Sequence, residues 1–237
     1  MTTRRFPIGL TIATAIALAI LVGLGTWQVQ RLHWKEGLLA HIAALKAAPA
    51  QPVEPVLDRL ANGQDVEFTR VVAECPGLAT APFIELYGLK DGQAGVRLIS
   101  ACRAPSLAYR TVLVDRGFVG DTVSARPPVD PASQAPFTLT GVLRTPDRRN
   151  LFTPPNQPPR WFSRDIPGMG AALGAARPAP IFLMAETSTN PDWAALAPAP
   201  IPKEISNRHL EYAITWYGLA VALLGVYAAM LLKWRKG

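Results

Sequence analysis

Histidine is scarce in this chain, and its distribution excludes several kinds of catalytic site. Three histidines occur in 237 residues, and none lies between His41 and His209. Serine and cysteine hydrolases use an imidazole to move protons near neutral pH, and zinc sites are usually clusters of histidine or cysteine. The long middle of the chain has neither arrangement, and it has no Walker loop or GxGxxG turn. The sequence therefore disfavours ordinary hydrolases and metalloenzymes, although a pair of carboxylates could still do acid-base chemistry.

Cysteine is also sparse, with Cys75 and Cys102 as the only two. Their spacing is unlike a CxxC motif and no histidine lies between them, so a metal site built on them is disfavoured. Two alternatives stay open. One is a disulfide, which an oxidising compartment would permit, and the other is a pair of buried free thiols.

Charge is absent from two long apolar blocks, Phe6–Gln28 and Tyr212–Leu232. Each has roughly the 20 residues that a helix needs to cross a bilayer core of ~30 Å. Neither carries the cost of a charged side chain in hydrocarbon. The sequence predicts two transmembrane helices with a water-soluble domain between them. A cleaved signal peptide is the alternative for the first block, but its length and the lack of a small-x-small cleavage site favour a retained anchor.

Basic residues flank both blocks and predict the orientation. Apart from the five basic residues that flank the blocks, the chain has 19 basic residues, which nearly balance its 17 acidic ones. The high pI is therefore no sign of a nucleic-acid partner. Positive residues near membrane spans stay cytoplasmic, whereas long loops are translocated largely regardless of charge. We expect a multi-pass protein of the cell inner membrane, with both termini cytoplasmic and the central domain periplasmic. The short N-terminal tail without a targeting presequence favours a bacterial membrane. The flanking residues are Arg4, Arg5, Lys233, Arg235 and Lys236.

The region between the blocks alternates short β-prone runs with proline-rich loops. We predict an α+β chain, in which two transmembrane helices flank an extracytoplasmic, mainly antiparallel β domain, a small barrel or sandwich. Asp91-Gly92 predicts a hairpin turn, and Gly168–Ala176 predicts a short helix. Strands are expected at Val66–Ala73, Pro82–Tyr87, Val96–Cys102, Thr111–Val114 and Phe137–Leu143, with further ones near Arg160–Phe162 and Ile181–Ala185.

These patterns divide the chain into successive parts. The helix-forming composition after the first block predicts that the helix continues into water and ends before Pro49. The proline-rich run Pro49–Pro55 is interpreted as a linker. The predicted parts are a cytoplasmic tail (1–5), a transmembrane helix (6–28), a juxtamembrane helix (29–48), a β-rich domain (49–206), a second transmembrane helix with its outer turn (207–232) and a second cytoplasmic tail (233–237).

His209 is the main candidate for chemistry. If its segment is helical, His209, Tyr212, Ala213 and Trp216 share one face, at the boundary of lipid and water. One imidazole beside two aromatic rings suits a haem, since an imidazole nitrogen is a common axial ligand of haem iron. The alternative is an interfacial histidine that anchors the helix. His33, at a comparable depth, is a candidate second axial ligand.

The first block offers a matching surface. Trp27, Arg31 and Trp34 recur at helical spacing with Lys35 beside them. Arg31 and Lys35 would emerge at the level of His209 and bind haem propionates. The alternative is that they are snorkelling side chains which fix the helix end. Small residues in both blocks would let the helices approach closely, namely Gly23, Gly25, Gly218, Ala222 and Gly225.

Five ordered motifs resemble the Surfeit locus protein 1 family, over nearly the whole chain. Two of them match its membrane-span signatures: Gly25–Arg31 (GTWQVQR, followed by Lys35 and Leu38) and Asn207–Trp216 (NRHLEYAITW). The internal motif Val112–Val119 departs from the family at two positions. Asp115 stands where the family more usually has Asn, and Phe118 stands where it has Trp. The three internal motifs are Val112–Val119 (VLVDRGFV), Gly141–Arg144 (GVLR) and Phe152–Asp165 (FTPPNQPPRWFSRD).

The resemblance implies a non-enzymatic assembly factor for cytochrome c oxidase of the respiratory chain. It implies transient binding of haem a and its delivery to oxidase subunit I, with haem a synthase as a further candidate partner beside the lipid bilayer. The alternative is a haem-free scaffold that stabilises oxidase assembly intermediates. In the first interpretation His209 is the axial ligand of the haem iron, and the cofactor-binding residues are His209, Trp216, Tyr212, Arg31, Trp27 and Lys35.

Overall fold

The computed structural model describes residues 6–147, 153–198 and 207–236. The chain divides into two compact units. The helical unit contains residues up to 41 and from 204 onward, and the sheet unit contains residues 42–203. Arg4 and Arg5 of the predicted cytoplasmic tail, and Phe152 of an internal motif, lie outside the described residues.

The helical unit is formed by two long helices, α1 (Ile8–Ala47) and α4 (His209–Lys236). Helix α1 runs unbroken past Gln28, so the predicted continuation beyond the first apolar block is confirmed; its residues from 42 on group with the sheet unit. Both helices are long and apolar enough to cross a membrane, and only 11% and 6% of their most apolar windows are buried. A core helix of a water-soluble domain would be mostly buried, whereas these helices expose isoleucine, leucine and valine side chains around most of their surfaces.

Helices α1 and α4 run antiparallel, since the start of one contacts the end of the other. Both positions that bury a small side chain on α4, Ala213 and Ala220, are seven residues apart and lie on one face. This face and its counterpart on α1 form what we call the seam. Side-chain pairs that join the helices are Phe6–Trp234 (ring centroids 5.6 Å apart), Thr11–Tyr227 (2.6 Å between hydroxyl oxygens) and Thr26–Tyr217 (3.1 Å).

The predicted contact through small residues is confirmed at one position. A Cβ built on Gly25 would lie 2.8 Å from Cε1 of Tyr217, so the absent side chain makes room for that ring. The expectation was wrong for the other four, because they point away from the seam. A Cβ built on a glycine meets nothing within 4 Å among the described residues at Gly23, Gly218 and Gly225. The fourth residue, Ala222, is exposed.

In the part of the chain described, the sheet unit has one mixed sheet of seven strands in the order β1-β2-β6-β7-β5-β4-β3. The pairs β1–β2 and β5–β7 are parallel and the others are antiparallel. The predicted α+β class is confirmed, and the sheet is open with two edge strands, not a closed barrel. The strands are β1 (Gln51–Pro52), β2 (Arg70–Glu74), β3 (Ile84–Lys90), β4 (Gln93–Arg103), β5 (Thr111–Gly120), β6 (Thr138–Arg144) and β7 (Pro178–Ala185).

Both faces of the sheet are covered. Helix α2 (Val53–Ala61) packs on one face through Val53, Val56 and Leu57, and α3 (Ile166–Ala172) packs on the other through Ile166 and Met169. The central strands are therefore buried on both sides, and their sequences lack the alternation of a half-exposed strand. This explains why β5 continues to Gly120, six residues beyond the predicted end at Val114.

Two local predictions need correction. The run Pro49–Pro55 is not a linker, because Gln51–Pro52 pairs with β2 and α2 begins at Val53. Pro55 lies in the first turn of α2, where a backbone N–H has no intrahelical partner to lose. Arg160–Phe162 forms only isolated bridges, one of them from Trp161 to the edge strand β3. The hairpin turn is confirmed, with positive φ at Asp91 and Gly92.

A disulfide joins Cys75, just after β2, to Cys102 in β4. Both cysteines are buried in the core beneath α2. Of the two alternatives that the sequence left open, the structure therefore has the disulfide and not a pair of free thiols.

Candidate functional site

The site centres on His209, the first residue of α4. Its Nδ1 lies 2.7 Å from Oε1 of Gln28 on α1, and both side chains are half-buried. An amide oxygen only accepts hydrogen bonds, so the tautomer that fits this contact is the one with its proton on Nδ1. The lone pair of a neutral imidazole is then on Nε2, which has no hydrogen bond within the described residues. A metal-ligating histidine almost always has this arrangement, with its second nitrogen donating to an outer group.

The helix period places Gln28 in the seam. Thr14, Leu21 and Gln28 follow one another at intervals of seven, and Gly25 lies between the last two; all four are buried or half-buried. The ring of Tyr217 lies against Gly25, three residues before Gln28. The close approach of the helices at Gly25 thus brings the Gln28 amide within reach of α4.

The predicted face of α4 is divided by the structure. His209, Ala213 and Trp216 are at positions i, i+4 and i+7 and face the seam, with Ala213 buried and Trp216 half-buried. Tyr212 is 53% exposed. With about 100° per residue, Tyr212 lies furthest from the centre of this face, so its ring points to the flank of the seam.

The predicted residues of α1 lie mostly beside the seam. Trp27 and Trp34 are each 53% exposed, and Arg31 is exposed with its Cζ 3.9 Å from the centroid of the Trp34 ring. A guanidinium over an indole ring can still offer its N–H donors to an anion. Lys35 is half-buried and, seven residues after Gln28, belongs to the seam face.

His33 is not on this face. It is exposed and lies about 140° around the helix from Gln28, because five residues separate them at about 100° each. The structure therefore gives no support to His33 as a second axial ligand opposite His209. Among the described residues there is also no group of three or more His, Cys, Asp or Glu that could hold a metal ion.

The residues that are present fit a haem. Nε2 of His209 offers one axial nitrogen, Trp216 and Trp27 offer apolar ring surfaces, and Arg31 offers a cation. Oδ1 of Asn207, two residues before His209, is a buried acceptor that has no hydrogen-bond partner among the described residues. Buried acceptors are normally satisfied, so an unsatisfied one is a place where a ligand hydrogen-bond donor fits.

A cavity of about 870 Å³ lies in the sheet unit and contains none of the predicted residues. Its walls include Tyr87 and Phe162, whose rings stack with centroids 5.5 Å apart, and Arg126, which is paired with Glu85.

The internal motif of β5 forms part of the sheet core. The Asp115 carboxylate, fully buried, accepts hydrogen bonds from Arg97 (2.6 Å) and Arg164 (2.7 Å). Arg116 is buried and donates to the carbonyl of Ala79 at 2.8 Å. Burial lowers the pKa of Arg116 to about 10, so its guanidinium is still charged at neutral pH. The motif therefore contributes buried charges with hydrogen-bond partners to the core of the sheet unit.

Comparison with known proteins gives the family. The SURF1 family model matches residues 15–221, a range that begins in α1 and ends in α4. The chain belongs to the SURF1 family. It is 31% identical to Surfeit locus protein 1 of Mus musculus over 228 residues (84% of this chain, 68% of the relative). It is 31% identical to Surfeit locus protein 1 of Homo sapiens over 240 residues (91% and 75%) and 29% identical to the SURF1-like protein of Drosophila melanogaster over 236 residues (89% and 74%).

The predicted resemblance is thus confirmed, and the range matched by the SURF1 family model includes both Gln28 and His209. Gln28 is the residue of the site that the sequence reasoning missed, although it lies inside the first motif. The signal that could have found it is the seven-residue spacing from Thr14 through Leu21, together with Gly25 one turn earlier.

Proposed function

We propose that this SURF1-family protein is a membrane-anchored assembly factor for cytochrome c oxidase, which binds haem a and assists its insertion into subunit I. The observation that carries the proposal is the His209–Gln28 pair, which leaves the Nε2 lone pair of one imidazole at the end of an apolar helix pair. Haem a synthase is the candidate source of the haem, and subunit I is its destination.

The proposed topology follows from the surfaces of the two units. Helices α1 and α4 expose apolar side chains that lipid tails would cover, and basic residues flank their cytoplasmic ends. The Cys75–Cys102 disulfide is the kind of bond that persists in the bacterial periplasm. We place both termini in the cytoplasm and the sheet unit in the periplasm, with the cell inner membrane between them.

Each residue of the site would act on the haem in a different way. His209 would bind the iron through Nε2. The apolar ring would be contacted by Trp216, Trp27 and Tyr212. The propionates would be bound by Arg31 and Lys35. A haem brings a planar apolar ring, an iron that accepts an axial nitrogen, and two carboxylates. One protein ligand suits a cargo that has to be released, because coordination by two histidines would slow its exchange.

A haem-free scaffold for oxidase assembly intermediates is the second candidate. The observation that favours it is the exposure of Trp27, Trp34 and Tyr212, which are half open rather than enclosed. Exposed aromatic side chains next to a seam offer a surface on which helices of an oxidase subunit could pack. In that case His209 and Gln28 would serve only to join α1 and α4.

The deciding experiment is purification in detergent from cells that synthesise haem a, followed by an absorption spectrum and identification of the extracted pigment. We expect the wild type to carry haem a and His209→Ala to lose it. His33→Ala is the matched control, since it removes an exposed imidazole from the same unit. Full haem occupancy in His209→Ala would refute the ligand assignment. A wild type that restores oxidase assembly without carrying haem would favour the scaffold.

A further inference from the structure

The hydrogen bond between Gln28 and His209 decides which ring nitrogen can bind a metal. The amide oxygen of Gln28 has no proton to donate, so in a hydrogen bond of 2.7 Å it accepts from an N–H at Nδ1 of His209. We propose that Gln28 is the positioning residue of His209, which fixes its tautomer and ring orientation so that Nε2 is the iron-binding atom. This inference rests on the proposed function and assigns a specific role to a residue of the same site.

The position of Gln28 is determined by contacts of the preceding turn of α1 with α4. Tyr217 lies against Gly25, and its hydroxyl is 3.1 Å from the hydroxyl of Thr26. Tyr217 is about two turns after His209 on α4, and Gly25 is about one turn before Gln28 on α1. The same contact therefore sets the register in which the amide meets the imidazole. The Gln28–His209 hydrogen bond joins residues 181 positions apart, and it depends on how α1 packs against α4.

The choice of an amide over a carboxylate matters for a carrier. An acceptor on the second ring nitrogen raises the basicity of the ligating nitrogen, and a carboxylate does so more strongly than a neutral amide. Gln28 therefore orients the ring while leaving the iron bond weaker than a glutamate would. This suits a haem that has to leave, so Gln28→Glu is expected to hold haem longer than the wild type does.

Haem binding by the full-length chain in detergent tests the proposal. Haem a is titrated into the wild type, Gln28→Met, which keeps the shape but loses the acceptor, and Gln28→Glu. We expect Gln28→Met to bind about 10–100-fold more weakly, the usual effect of removing such a partner. Gln28→Glu should dissociate more slowly, with a higher iron–imidazole stretching frequency. The matched control is Gln30→Met, because Gln30 lies two residues after Gln28 on α1 but is exposed and outside the seam.

A measurement on haem-free protein tests the tautomer independently. In ¹⁵N-histidine-labelled wild type, with the His209 signals assigned by their loss in His209→Ala, we expect the proton on Nδ1. In Gln28→Met we expect a mixture of tautomers.

Two results would overturn the inference: a proton on Nε2 in the wild type, or binding by Gln28→Met as tight as that of Gln30→Met. If His209→Ala loses haem but Gln28→Met does not, only this inference fails. If His209→Ala also binds normally, the proposed ligand fails as well.

Discussion

The two units of this SURF1-family protein distribute polar groups in opposite ways. In the sheet unit, buried charges such as Asp115 and Arg116 are surrounded by partners and lie in the core. In the helical unit, the surface is apolar and polar side chains join the two helices along the seam. A polar group in apolar surroundings is unfavourable unless it is paired. Buried polar residues therefore stabilise the core of the sheet unit, whereas polar residues of the helical unit join α1 to α4.

The largest expected effect tests the stabilising role of buried charge in the sheet unit. Asp115→Ala removes the carboxylate that Arg97 and Arg164 share. Breaking a buried ion pair in this way costs about 3–5 kcal/mol, and we expect a matching loss of thermal stability in detergent, followed by circular dichroism. Asp115→Asn is the matched variant, since it keeps an acceptor and should lose less. An Asp115→Ala protein as stable as the wild type would contradict the stabilising role of buried charge in the sheet unit.

The next effect concerns the disulfide. Replacing both Cys75 and Cys102 by alanine opens a loop of 27 residues and is expected to cost about 2–4 kcal/mol of stability in the sheet unit. The thermal transition of the wild type in a reducing agent should move towards that of the double variant. Thiol labelling of the denatured protein, after the thiols of the cells have been quenched with acid, checks the proposed periplasmic location, because the two buried cysteines should react only after reduction. Free thiols in untreated cells would contradict that location.

A smaller effect tests the close approach of α1 and α4. Gly25→Ala places a Cβ 2.8 Å from the Tyr217 ring, whereas Gly23→Ala meets no described atom within 4 Å. We expect overpacking to cost about 1–3 kcal/mol at Gly25 and to weaken haem binding correspondingly, with little change at Gly23. Haem titration of the two variants in parallel measures the difference. Equal stability and equal haem binding in the two variants would mean that the contact between Gly25 and Tyr217 does not determine how closely α1 and α4 pack.

The smallest effect is expected at the end of the helical unit away from His209. Tyr227→Phe removes the hydroxyl that lies 2.6 Å from that of Thr11. Interhelical hydrogen bonds in membranes contribute about 0.6 kcal/mol on average, so stability should fall slightly and haem binding should not change. A large loss of haem in this variant would show that the site is not localised at the His209 end.

Sequence patterns predicted the fold best where one physical effect dominates a segment. The apolar blocks predicted α1 and α4 because a charge-free apolar run of about 20 residues is typical of a membrane-spanning helix. The Asp91-Gly92 turn was recognised because its two residues tolerate positive φ. Helix α2 was missed because Pro52 and Pro55 suggest a linker, although a proline in the first turn removes no hydrogen bond.

The candidate site was predicted in part. His209 stands out because histidine is rare in the chain, and Trp216 follows it on the same helix face. Which side of α1 faces α4 depends on packing at Gly25, and no property of Gln28 alone reveals it. The aromatic residues Trp27 and Trp34 attracted attention through their size, yet the structure places them on the exposed flank.

The central claim is that Nε2 of His209 binds the haem iron, and the iron–imidazole bond can be observed directly. The measurement is a resonance Raman spectrum of the ferrous haem a complex, made with unlabelled and with ¹⁵N-histidine-labelled protein. We predict an iron–nitrogen stretching band that shifts with the label in the wild type and in His33→Ala, and that is absent from His209→Ala. A label-sensitive band that persists in His209→Ala, or none in the wild type, would contradict the claim.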